Sequence, residues 1–230
     1  MEIVHKYNIV IHIITGCIAL ALGLVALLST KGGKLHNTSG KYFLRLIAFV
    51  ILTGLIGVFV FKRNSFLLVI TVLSGYVSFS GYRVLVLKSN TLKSIDVLVA
   101  MASLLVLAYF LYYFKSIGMI WSPVIIYSGA GALLVVVMYD FLRYLIPKKK
   151  YEKNRIWLYE HVYKMTSAFS GLLAAFVGTV FDQYQPHSQY IPSVLGMMII
   201  FGFMIYVYKY GLKKDLKSSR SSSTKKPDSN

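Results

Sequence analysis

Seven stretches of about 20 mostly apolar residues, parted by short polar breaks, make up nearly the whole chain. A bilayer's hydrocarbon core is crossed by roughly 20 apolar residues in helix, at about 1.5 Å rise each. Runs such as Ile9–Ser29, Phe43–Phe61 and Pro192–Tyr210 are too long and too apolar for helices of a small soluble domain. The pattern predicts an all-α integral membrane bundle of seven transmembrane helices, with spans near 8–29, 42–61, 66–87, 94–114, 121–146, 157–181 and 191–211. The break at Lys62-Arg63-Asn64 is the least distinct, and a re-entrant segment or a six-helix arrangement also fits there.

Charged residues make up only 14% of the chain, against about 25% in soluble domains. The chain divides into a seven-helix domain over 1–211 and a Ser/Lys-rich tail over 212–230. The tail's composition cannot bury a core, so disorder is expected. The net charge of +17 raises the question of nucleic acid, but the basic residues sit at helix ends and in the tail. That placement suits orientation in a bilayer and contact with anionic headgroups, and no nucleic-acid partner is expected. Cys17, the single cysteine, excludes an intramolecular disulfide. The first apolar run is longer than the 7–15 residues of a signal segment, so it reads as a retained helix.

Seven crossings put the termini on opposite sides. One side receives Lys31, Lys34, Lys41, Arg45, Lys88, Lys93, Arg143, Lys148, Lys149, Lys150, Lys153, Arg155 and the basic tail; the other receives Lys6, Lys62, Arg63 and Lys115. The positive-inside rule then places the amino terminus outside and the carboxyl terminus in the cytoplasm. In the sixth span Ser167, Gly171, Ala175 and Thr179 recur every four residues, as do Ser170, Ala174 and Gly178. Small residues at that spacing let helices approach closely, which predicts a central position for this span.

Ionisable groups at membrane depth are costly and point to function. On this topology Arg83, Asp96, Asp140, Glu160, His161 and Lys164 lie within about two turns of the cytoplasmic boundary, with His36 in a loop at the same level. Arg83, Asp96, Asp140, Glu160 and Lys164 form a candidate substrate or ion site. The bland alternative is anchoring: Arg83 and Lys164 can snorkel to headgroups, Glu160 and Lys164 can pair at i,i+4, and Asp96 suits the positive end of a helix dipole.

His36 and His161 are candidate metal ligands, and with Asp96, Asp140 or Glu160 they could form a zinc site. No H-E-x-x-H spacing supports it. Haem needs two imidazoles at equal depth; His36 with His161, or His12 with His187 at the outer side, match in depth, though each pair includes a loop residue. Zinc or haem is thus possible but unspecified. Tyr76, Tyr82, Tyr109, Tyr112, Tyr113, Tyr139, Tyr144, Trp121 and Trp157 lie mostly near span ends, as interfacial belts do; a quinone or lipid site is their other use. The chain has no Walker loop, no dinucleotide fingerprint and no G-x-S-x-G, which argues against ATP-driven chemistry.

The stretch His12-Ile-Ile-Thr-Gly16, Ala19-Leu20, Gly23, Lys31-Gly32, His36, Gly40 and Tyr42 resembles a known family, as do Ser80-Gly81-Tyr82-Arg83-Val84-Leu85 and Trp157, His161 and Met165 followed by Ala174-Ala175-Phe176. The family is that of predicted prokaryotic multi-pass membrane proteins called domain of unknown function 2306, and the resemblance covers about residues 8 to 180. It implies the prokaryotic cytoplasmic membrane and brings no established activity. The matching positions are His12, His36, Arg83 and His161. Three functional classes follow: binding or transport of a small solute or ion, a membrane metalloprotein (zinc hydrolase or haem-linked redox protein), and a structural membrane subunit. Oligomeric state and partner subunits are not legible.

Overall fold

The computed structural model describes residues 2–61, 67–116, 123–185 and 187–223. The chain is all-α: α1 (Glu2–Leu28), α2 (Lys34–Phe59), α3 (Leu67–Leu87), α4 (Ser94–Ser116), α5 (Pro123–Leu142), the short α6 (Lys148–Lys153), α7 (Ile156–Val180) and α8 (His187–Ser223). Six of these contain segments long and apolar enough to cross a membrane; α7 falls outside that set. Its two buried charges and its many Ser, Gly and Thr residues lower its hydropathy. The break at Lys62-Arg63-Asn64, Trp121 and residues 224–230 of the tail lie outside the described residues.

Two boundaries differ from the sequence reading. α2 starts at Lys34 rather than near residue 42, so His36 stands in its first turn and not in a loop. Gly32 takes φ +76, which only glycine adopts freely, and the chain reverses there. The polar turns that follow are good helix, but a hydropathy window cannot see them. α8 likewise runs on from its apolar part into the basic segment as far as Ser223.

Direction follows from close approaches. His12 on α1 bonds Thr53 on α2, while Gly23 lies beside Phe43. Gly54 faces Thr71 and Gly75 faces Ile51 across α2 and α3. Gly171 on α7 lies against Ser74 on α3, and Gly81 against Lys164, so these helices are antiparallel too. Gly178 meets Gln189, and Gly196 meets Ser170, across α7 and α8. α3 and α5 run parallel, with Val69 at Gly129 and Tyr76 at Asp140.

A Cβ on Gly171 would stand 2.5 Å from the Ser74 hydroxyl, and one on Gly81 2.9 Å from the Lys164 Cβ. The small residues of α7 are therefore where its neighbours come closest, and α7 packs against α1, α3, α6 and α8. Phe43, Ile47, Val77, Leu133, Ala168 and Phe169 belong to the buried core. Large apolar side chains also cover the outside: Leu105, Val135 and Met198 are each about two-thirds exposed, which suits contact with lipid.

Candidate functional site

α7 carries Glu160 and Lys164 one turn apart, and Asp140 in the last turn of α5 is followed three residues on by Arg143, which opens a 3-10 turn. Each spacing puts both charges on one helix face. The bundle turns these two faces together with Tyr76 and Ser80, one turn apart on α3. All four charged residues are buried, Lys164 completely. Lys164 Nζ donates to Asp140 Oδ1, and to Ser80 Oγ at 2.7 Å, with Glu160 Oε2 at 3.5 Å. The Ser80 hydroxyl in turn donates to Asp140 Oδ2, which also accepts from Tyr76 at 2.9 Å. Arg143 Nη1 donates to Glu160 Oε2 at 2.6 Å, and Tyr139 to Glu160 Oε1 at 2.9 Å. Arg143 Nε stands 3.9 Å from Asp140 Oδ1.

Removing each ion from water costs several kcal/mol, by order of magnitude, and attraction offsets this only when the remaining lone pairs are also satisfied. The two carboxylates meet that condition, facing two cations with phenols and a hydroxyl at their other acceptor sites, while Arg143 Nε has no hydrogen-bond partner among the described residues. Lys164 therefore does not snorkel, and Tyr76 and Tyr139 are not belt residues but donors to buried carboxylates. Tyr109 and Tyr112 remain exposed as a belt requires. Beneath the cluster, α6 seats Tyr151 with no exposed surface. Burial, and after it the Glu160 charge, pushes this phenol well above its ordinary value, so it stays neutral.

Arg83 and Asp96 form a separate ion pair at the edge, at 2.7 and 3.1 Å. The backbone N–H of Lys93 also donates to Asp96. A cavity of about 20 Å³ reaches from Asp96 to Asp140 and Arg143 and touches Tyr76 and Ser80. That is room for about one water. Of the five residues of the candidate ion site, Asp96 and Asp140 line this cavity; Arg83 pairs with Asp96, and Glu160 and Lys164 belong to the buried cluster. Sequence reasoning counted Arg143 only as a topological charge; its i,i+3 spacing from Asp140 was the available signal. Tyr76 and Ser80, at i,i+4 inside an apolar span, were another.

The histidines divide. His36 Nδ1 lies 2.9 Å from the Ala26 carbonyl and His161 Nδ1 3.0 Å from that of Gly81. A carbonyl only accepts, so each ring carries a proton on Nδ1, and in the neutral imidazole Nε2 is then the nitrogen with a free lone pair. Phe43 and Phe169 meet with ring centroids 6.5 Å apart. His36 stands about two turns before Phe43 and His161 about two turns before Phe169, which sets both imidazoles at one level. At the other end His12 bonds the Thr53 hydroxyl at 2.8 Å, while His187 is exposed at the start of α8; no contact joins these two among the described residues. Nor, among the described residues, do three His, Cys, Asp or Glu side chains stand together as metal ligands.

No family model matches the chain, and neither does any curated protein or solved structure.

Proposed function

We propose that the chain is a seven-span membrane protein, amino terminus outside and carboxyl terminus in the cytoplasm, that binds or moves a small solute or ion through the polar region at the cytoplasmic end of the bundle. Seven helices of 20 residues or more support the span count, with α7 counted because it packs among the others despite its polarity. The basic residues at one set of helix ends support the orientation. On this reading the tail is cytoplasmic, and with the basic loops it faces anionic headgroups. The kinship with domain of unknown function 2306 rests on its short motifs and adds no activity.

The observation that carries the functional reading is the buried quartet of Asp140, Arg143, Glu160 and Lys164. Charges at membrane depth that face a bundle interior mark ion paths and proton relays. With space beside Asp140 for about one water, the ion that fits is a proton. The test is proton entry into liposomes carrying the purified protein, an entrapped pH-sensitive dye and a potassium-diffusion potential. Wild type should exceed protein-free vesicles, and Asp140→Asn should lose about tenfold or more of that flux, as loss of a positioned proton acceptor does. Flux equal to that of empty vesicles in both would overturn the ion reading and leave the quartet as a helix anchor in a structural subunit.

A second reading has its own observation. His36 and His161 stand at one level and each commits Nδ1 to a backbone carbonyl, the arrangement that orients Nε2 of a neutral imidazole as a metal ligand. A metalloprotein would carry zinc or iron stoichiometrically after purification in detergent, and His161→Ala would lose it. Mass spectrometry finding the same trace content in both chains would remove this reading.

A further inference from the structure

A cavity larger than the one beside Asp140 lies outside the ion quartet, between α5, α7 and α8. It measures about 310 Å³ and is lined by Val135, Val136, Tyr139, Tyr159, Glu160, Tyr163 and Met204. That volume is at the lower end of small-molecule sites, which run from roughly 300 Å³ upward. Its lining has two parts. Val135, Val136 and Met204 make an apolar wall, and Val135 is 65% exposed on the outer surface of α5, so the space borders the face that meets lipid. The other part is three tyrosine rings and the edge of Glu160.

The polar groups restrict what can occupy it. Tyr139 already donates to Glu160, whose second oxygen takes Arg143 and Lys164. The quartet of two anions and two cations carries no net charge, so a charged ligand head would unbalance it at the cost of burying an unpaired ion. Among the described residues the hydroxyl of Tyr159 has no hydrogen-bond partner, and a phenol offers a donor. The preferred head is therefore neutral, planar and hydrogen-bond accepting, with aromatic faces and a thioether around it. A saturated acyl chain would fill the volume but leave the Tyr159 donor without a partner.

We propose that this cavity binds a neutral, lipid-soluble ring compound bearing carbonyl oxygens, of the quinone class, with its tail leaving toward the lipid past Val135. The site touches the ion quartet only through Glu160 and Tyr139, so occupancy and the charge cluster share one carboxylate. The inference rests on the membrane reading above but not on transport.

The probe is a short-chain benzoquinone with one isoprenoid unit, added to the protein in detergent; bound quinone is measured after gel filtration, against quinone carried by empty micelles. Wild type should retain about one equivalent. Val136→Trp fills the cavity and should retain none above the micelle background. Tyr159→Phe removes only the donor and should weaken binding by up to about tenfold, the worth of one hydrogen bond. Leu134→Trp, on the exposed side of α5, should bind as wild type does. Equal retention by all four chains means partition into detergent and overturns the site. Displacement of the quinone by an equal concentration of a fatty alcohol would give the cavity to an acyl chain and overturn the ring specificity. Tyr159→Phe keeps the test decisive if Val136→Trp does not fold. A chain that enters neither detergent nor bilayer would fail the membrane reading instead, a result distinct from a membrane-embedded chain that leaves the quinone unbound.

Discussion

α1 and α7 are of similar length, 27 and 25 residues, and they touch at Gly23 and Phe169. Only Ala19 and Gly23 of α1 are buried, and just 11% of its most apolar stretch is inside the bundle. α7 buries nine residues, among them Glu160, Lys164, Thr166 and Ser170. The more apolar helix is outside and the more polar one inside. In water that order would be reversed. Here the surrounding phase gives no advantage to burying leucine, so helices associate through close packing and polar contacts, and the helix that carries both becomes the hub.

The largest effect should come from breaking that hub electrostatically. Lys164→Met leaves Asp140 and Glu160 sharing Arg143 alone, and removing one partner of a buried pair costs roughly 3–5 kcal/mol. Thermal unfolding in detergent, followed by circular dichroism, should show a large drop. The double variant Lys164→Met with Asp140→Asn removes a charge of each sign and should recover part of it. An unchanged midpoint in the single variant would mean that the lysine is not paired in the interior. Steric disruption comes next. Gly171→Leu pushes against Ser74 and should cost about 1–3 kcal/mol, the usual range for overpacking. The same change at Gly202, which has nothing within 4 Å, should be close to neutral; equal losses at both glycines would put α7 at the periphery.

The prominence of α7 was legible in sequence, because its stripes of Ser, Gly, Ala and Thr encode close approach at four-residue spacing. So was the placement of Asp140, Glu160 and Lys164 at one end of the bundle, since alternating helices bring the same ends together. Their partners were not. Whether Lys164 reaches out to headgroups or in to Asp140 depends on helix rotation, and the side chain's length allows both. Rotation is set by contacts such as Gly81 on Lys164 and Ser74 on Gly171, which no hydropathy window contains. The start of α2 at Lys34 is hidden for a related reason: polar helical turns beyond the membrane carry no apolar signal, so hydropathy alone puts His36 in a loop. Tyr76 and Tyr139 misled by type, because a tyrosine near a span end serves equally as a belt or as a donor.

A smaller effect sharpens the edge of the hub. Arg83 and Asp96 are paired at the margin, with 16% and 11% of their side chains exposed. Two hydrogen bonds with partial screening put the pair at about 1 kcal/mol, well below a buried pair. Arg83→Gln should therefore move the unfolding midpoint much less than Lys164→Met. A loss as large as that of Lys164→Met would make the pair part of one network with the quartet, joined across the small cavity beside Asp140.

The smallest effect belongs to the outer face of α1. Ile14 is 53% exposed there. In a soluble core, truncating a large aliphatic residue to alanine costs roughly 2–5 kcal/mol, because methylenes leave an apolar phase and a cavity opens. On a lipid-facing surface neither term applies: detergent or lipid tails close over the gap, and the removed methylenes were in contact with hydrocarbon in any case. Ile14→Ala should shift stability by no more than about 0.5 kcal/mol, the usual limit for surface changes away from special features. Ala19→Leu, on the same helix but fully buried, should cost about 1–3 kcal/mol by overpacking. If Ile14→Ala instead cost as much as Ala19→Leu, that face of α1 would be packed against protein. Because the described helices packed on α1 are chiefly α2 and α7, the protein against its outer face would be a second copy or a partner subunit, and cross-linking in the native membrane would then separate the two.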